Sequence, residues 1–151
     1  MSAARPRAVL FVCGFNALRS PMAAALLRQM SGEGMAVASA GVRKDALDPF
    51  AVAAMAEIGI DIAAHEPVTL DEMEDLEGLD FELIVTLSPE AHHTAVALTH
   101  RIAATIEYWP TADPSTTEGN REQRLDAYRA VRDQLAKRIR ARFFPPAGLR
   151  E

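Results

Sequence analysis

The chain has 151 residues, 49% of them hydrophobic and 25% charged, with a net charge of −5 and a single cysteine. That is long enough to bury a core as one domain over residues 1–151, ordered over about 7–143, and too apolar for disorder beyond the tails. The acidic balance argues against nucleic acid. The apolar run after Met1–Arg7 is too brief for a signal peptide or a membrane span, and a lone cysteine fits a reducing compartment, so a cytoplasmic protein is expected.

The first element is Val9-Leu10-Phe11-Val12, a short, partly β-branched run closed by Gly14. It reads as a buried strand with Cys13 at its C-terminal end. Ser20-Pro21 then reads as a helix start just after Arg19, with the Ser20 hydroxyl as cap and Pro21 at the first helical position. Between strand and helix, the backbone amides of Gly14, Phe15, Asn16, Ala17, Leu18 and their neighbours up to Ser20 can curl into a nest for a phosphate-like oxyanion, reinforced by the helix dipole. A cysteine in such a setting is placed as a thiolate nucleophile; otherwise it is a small buried hydrophobe at a strand end. Arg19 can fold back so that its planar guanidinium grips two oxygens of a phosphoryl group. Asn16 suits a loop position with positive φ, where its side chain ties the loop's own backbone together. Cys-x5-Arg alone decides nothing; the strand before it, Asn16 inside it, and Ser20-Pro21 and a helix after it make it specific.

The first helix is expected to end near Gly32 to Gly34, and Met35 to Gly41 to form a second strand, completing a βαβ unit. Arg43 and Lys44 then lie on a loop, where a solvated charge pair is preferred over a basic rim for an anionic substrate. Asp48-Pro49 starts a second helix through Phe50, Ala54 and Ile58, ended by Gly59 and packed by its apolar face on the sheet. Thr69 caps a short acidic helix over Glu72 and Met73. Phe81 to Leu87 is the third strand, and Ser88-Pro89 opens a helix with His92 and His93, both read as surface residues. Neither these nor His65 and His100 have a partner at ligand spacing, so no metal is expected. Ala104 to Trp109 is the fourth strand. Asp113-Pro114 follows it, beyond the carboxyl ends of the strands, which puts Asp113 on the same rim as Cys13. Asn120 to Phe143 is a long amphipathic helix with Leu125, Tyr128, Val131 or Arg132, Leu135 and Ile139 inward. The end, from Pro145, should fray.

The fold expected is α/β, a three-layer sandwich with a four-stranded parallel sheet and helices on both faces. No Gly-x4-Gly-Lys nucleotide loop occurs, and no cofactor is implied.

Val-Leu-Phe-Val-Cys13-x-x-Asn16-x-x-Arg19-Ser20-Pro21-Met22-Ala23 resembles the signature of the low-molecular-weight protein tyrosine phosphatases, a family that also contains the thioredoxin-linked arsenate reductases. The likeness covers nearly the whole chain. Ser39-Ala40-Gly41 matches the family's Ser-Ala-Gly, whose following loop forms part of the active-site mouth. The resemblance implies that Asp113 protonates the leaving group, that Ser20 donates its hydroxyl to the Cys13 thiolate, and that the partner is a phosphorylated protein or small molecule, or an oxyanion such as phosphate or arsenate. The family usually has Gly where this chain has Phe15, often a second Cys where it has Leu18, and in its phosphatases Tyr where it has Ser115.

A phosphatase acting through a Cys13 thiophosphate is the expected activity. An arsenate reductase is the alternative; since the reductases' Thr-Leu-Cys stretch is Thr86-Leu87-Ser88 here, it would depend on an external thiol. A non-catalytic phosphate-binding or phosphoprotein-binding module needs neither a nucleophile nor an acid, which argues against it.

Overall fold

The structure is a computed structural model that describes residues 5–146; the fraying expected beyond them lies outside the described residues. Four parallel strands, β1 (Ala8–Cys13), β2 (Ala36–Gly41), β3 (Leu83–Thr86) and β4 (Thr105–Tyr108), form one sheet in the order β2-β1-β3-β4. Five helices accompany them: α1 (Arg19–Ser31), α2 (Pro49–Ala56), α3 (Leu70–Leu76), α4 (Pro89–Leu98) and α5 (Arg121–Phe143).

Strand β1 is apolar on both faces because both are covered, the usual condition of a central parallel strand. Val9, Phe11 and Cys13 join the core shared with α1, α2 and α5, whereas Leu10 and Val12 join the core shared with α3 and α4. The three-layer α/β arrangement is therefore the one expected. From β1 the chain crosses to β2 on one side and later to β3 on the other. Such a reversal opens a crevice beyond the carboxyl ends of the adjacent strands, and Cys13 sits at that end of β1.

Three details differ from expectation. Helix α1 begins at Arg19 with Leu18 as N-cap and no side-chain cap bond. Ser20 is thus inside the first turn, where its hydroxyl finds buried partners instead of capping the orphan amides. Helix α2 packs chiefly on α5 rather than on the sheet. Arg132 explains part of this: its guanidinium reaches the carbonyl of Ala54 at 2.8 Å and Glu57 at 2.9 Å while its stem is buried, so Val131 and Arg132 both turn inward. Hydrogen bonds from Arg129 and then Arg132 pull the Glu57 carboxyl down to about 2. Last, His92 is half-buried, with Nδ1 3.0 Å from Thr86 Oγ1 and its ring stacked on Tyr108 at 4.7 Å; His93 is exposed.

Gly41 shows how closely the sheet and the loop after β1 are fitted. A Cβ there would lie 2.2 Å from the Arg43 carbonyl oxygen, 2.7 Å from the Asn16 nitrogen and 2.8 Å from the Phe15 carbonyl carbon. All three are backbone atoms, which cannot yield as a flexible side chain can. Gly41→Ala is expected to destabilise the protein by about 3 kcal/mol, and to lower oxyanion affinity as well because the loop must lift. Urea denaturation and phosphate titration of the variant check both effects; an unchanged midpoint would show that the loop rides higher than described.

Candidate active site

The segment from Gly14 to Leu18 is shaped by where its carbonyls go. Those of Cys13, Gly14, Phe15 and Ala17 accept hydrogen bonds from the amides of Val42, Arg43, Asp45 and Asp48, at 3.1, 2.8, 3.2 and 2.9 Å. With the carbonyls drawn outward to the β2–α2 connection, the N–H groups of Gly14 to Leu18 donate to no protein group among the described residues. These amides and the start of α1 make the nest of donors that suits an oxyanion.

Asn16 holds the loop in that shape. It is fully buried at φ 55°, the one non-glycine residue with positive φ among those described. Its Nδ2 donates to Ser20 Oγ at 2.8 Å and to Ser39 Oγ at 2.9 Å, and its Oδ1 accepts from the Val68 amide at 2.9 Å. That amide is a donor only, so it fixes which end of the carboxamide is oxygen. His65 Nε2, 3.0 Å from the same Oδ1, must then be the donor. Burial first, and the charge of Arg28 second, hold the His65 imidazole below its ordinary pKa, and the bond to Asn16 opposes them. Every hydrogen-bonding position of the Asn16 side chain is used.

Cys13 is 2% exposed, with Sγ 2.9 Å from Ser20 Oγ. Ser20 Oγ also lies 3.3 Å from the Ala40 carbonyl oxygen, to which it can donate. One hydroxyl proton serves both directions. With a thiol at Cys13, the sulfur donates to Ser20 and Ser20 to Ala40; with a thiolate, the Ser20 proton turns to the sulfur.

Cys13, Phe15, Ala17, Leu18 and Arg19 line a cavity of about 500 Å³ that also receives Asp113 and Ser115 from the loop after β4. Arg19 Nη1 donates to the carbonyl of Thr111 at 2.9 Å, which ties the two loops together and leaves the rest of the guanidinium for an anion. Asp113 Oδ1 accepts from the Ser115 amide at 3.0 Å and its hydroxyl at 2.6 Å, whereas Oδ2 makes no hydrogen bond among the described residues. Gly14 and Asn16 are buried and do not line the cavity. The cavity thus brings together Cys13, Arg19 and Asp113, while Arg43 and Lys44 are paired with Glu90 and Glu72, each at 2.7 Å.

Other residues of the site carried no signal in the sequence that they belong to it. Asp48 caps α2 by accepting from the Phe50 amide at 2.8 Å, and it also accepts from the Tyr128 hydroxyl of α5 at 2.6 Å. Burial first, and that bond second, push the Tyr128 hydroxyl well above the ordinary tyrosine range. Phe50 stacks on Tyr128 with centroids 5.3 Å apart, giving the cavity an aromatic wall although Ser115 is not aromatic. His65 reaches Asn16 from 49 positions away. Among the described residues no three His, Cys, Asp or Glu are grouped to hold a metal, and no helix is long and apolar enough to cross a membrane.

The sequence model for "Low molecular weight phosphotyrosine protein phosphatase" matches residues 8–149. The chain belongs to this family. The arsenate reductase of Halalkalibacterium halodurans is 35% identical over 134 residues, spanning 89% of this chain and 93% of its own. Among solved structures, the low molecular weight protein tyrosine phosphatase from T. tengcongensis is 28% identical with a TM-score of 0.71, covering 87% of this chain and 94% of its own. An arsenate reductase in its phosphate-binding state is 27% identical with a TM-score of 0.66, covering 88% and 93%. Proteins named as phosphatases and proteins named as arsenate reductases thus share this fold.

Proposed function

We propose that this family member hydrolyses phosphate monoesters through a thiophosphate on Cys13. The reading rests on one observation: Cys13, Arg19 and Asp113 line the same cavity in a chain that has a single cysteine. The loop amides and the free part of the Arg19 fork bind the phosphoryl oxygens, whose charge they also hold in the transition state. Cys13 Sγ attacks phosphorus as the ester P–O bond breaks, and Asp113 gives the leaving oxygen a proton from Oδ2. Water then attacks the thiophosphate, Asp113 takes its proton, and the S–P bond breaks to release phosphate and the thiolate. Ser20 steadies that thiolate through its hydroxyl proton.

A second reading is favoured by the similarity to proteins named arsenate reductases, such as that of Halalkalibacterium halodurans. An internal relay of cysteines is excluded by the sequence, so reduction here would draw two electrons from external thiols that leave as a disulfide. The deciding assay measures phosphate release from 4-nitrophenyl phosphate beside arsenite formation from arsenate, with and without added thiol. Phosphate release that is lost in Cys13→Ser supports the phosphatase; thiol-dependent arsenite formation without it supports the reductase.

The role of Asp113 has its own signature. Asp113→Asn is expected to slow esters with alkyl leaving groups by about 10² to 10³ and those with a nitrophenolate leaving group far less, because only poor leaving groups require the proton. Equal losses for both would remove Asp113 from the acid role.

A further inference from the structure

The α5 side of the cavity carries a charge that this chemistry does not use. Arg124 lines the cavity, with its guanidinium carbon 4.6 Å from the centroid of the Phe50 ring, and Arg121 is 5.8 Å from the same ring. Neither forms a salt bridge among the described residues, whereas their neighbours Arg129 and Arg132 are held by Glu57. Arg43 and Lys44, near the loop, are likewise paired. A guanidinium laid over an aromatic face is oriented by it, yet keeps its in-plane N–H groups free to donate.

The cavity's carboxylates do not take up this charge. Asp48 is engaged by the Phe50 amide and the Tyr128 hydroxyl, and Asp113 Oδ1 by Ser115. Asp45 is exposed and accepts from the amide of Ala46 at 2.8 Å. Phe50 is itself backed by Tyr128, so Arg124 stands on a fixed platform. The cavity therefore has two cations with different surroundings: Arg19 in the oxyanion loop, and Arg124 over Phe50 on the α5 wall.

We propose that Arg124 is a specificity-determining residue, which receives a second anionic oxygen group carried on the part of the substrate that projects from the oxyanion held at Arg19. The consequence for turnover rests on the phosphomonoester reading, since free arsenate has no second group to offer. Its test is a binding measurement that does not depend on turnover.

Calorimetric titration would compare benzylphosphonate with 4-carboxybenzylphosphonate and with the para-bisphosphonate, on the wild-type protein, Arg124→Gln and Arg124→Lys. The wild-type protein is expected to prefer the doubly anionic ligands by roughly fivefold to tenfold, with the preference shrinking as salt is raised. Arg124→Gln should bring the ratio close to one, and Arg124→Lys should leave part of it. A preference for only one of the two second groups would name it as carboxylate or phosphoryl. A wild-type ratio near one, or an equal ratio in wild type and Arg124→Gln, overturns the proposal. So does an equal loss for all three ligands in a variant of unchanged melting temperature, which would place Arg124 with the oxyanion itself. Should Arg124→Gln fail to fold, the wild-type salt series and the Arg124→Lys ratio decide the matter. Absence of phosphate release alongside an intact binding preference would overturn the phosphatase reading and leave this one standing.

Discussion

Cys13→Ser is expected to reduce phosphate release by at least ~10⁴-fold while inorganic phosphate still binds, because the substitution removes the nucleophile and spares the donors around it. The geometry makes the separation clean. The loop's shape depends on carbonyls accepting from the β2–α2 connection and on Asn16, none of which involves the sulfur as an essential partner. Ser at position 13 can keep a hydrogen bond with Ser20, which stands 2.9 Å from Sγ. The check is turnover with 4-nitrophenyl phosphate beside calorimetric phosphate binding for both proteins. Turnover near the wild-type level in Cys13→Ser would remove Cys13 from the mechanism, and loss of phosphate binding would mean that the sulfur helps to build the nest.

Arg19→Lys should be almost as damaging as Arg19→Ala, each costing on the order of 10² to 10³ in turnover. The guanidinium has two tasks at once: Nη1 donates to the Thr111 carbonyl at 2.9 Å, and the remaining N–H groups face the cavity. A lysine ammonium is a point charge without a rigid fork, so it cannot hold Thr111 and grip two phosphoryl oxygens in one geometry. Because Thr111 lies on the loop that carries Asp113, either substitution also loosens the position of the acid. In Arg19→Lys, which keeps the charge, the pH profile should therefore change together with the rate, which a purely electrostatic role for Arg19 would not produce. A lysine variant with near-normal turnover would mean that Arg19 supplies charge alone.

What could be read along the chain was local in origin. The apolar run of β1, the cap and proline signals at Asp48-Pro49, Thr69 and Ser88-Pro89, and the spacing of Cys13, Asn16, Arg19 and Ser20 each depend on residues within a few positions of one another. Their chemistry is visible because backbone geometry over such distances is nearly a function of residue type. The same signals marked four parallel strands, whereas their order, β2-β1-β3-β4, was set by the fold.

Tertiary structure decided the rest. Ser20 carries the features of a helix cap, yet it spends its hydroxyl on Cys13 and Ala40, because a buried polar group takes whichever partners the fold brings within reach. Asn16 was legible as a residue for positive φ, but its hold on Ser39, His65 and Val68 joins parts of the chain 23 to 52 positions apart. Nothing within those segments announces the pairing. The wall of Phe50 on Tyr128 and the seat of Arg124 over Phe50 arise the same way, from α2 settling on α5 instead of on the sheet. The residues of the oxyanion loop itself belong to one short stretch and can be read from it; those that brace the loop and line the rest of the cavity come from different elements, and only packing brings them together.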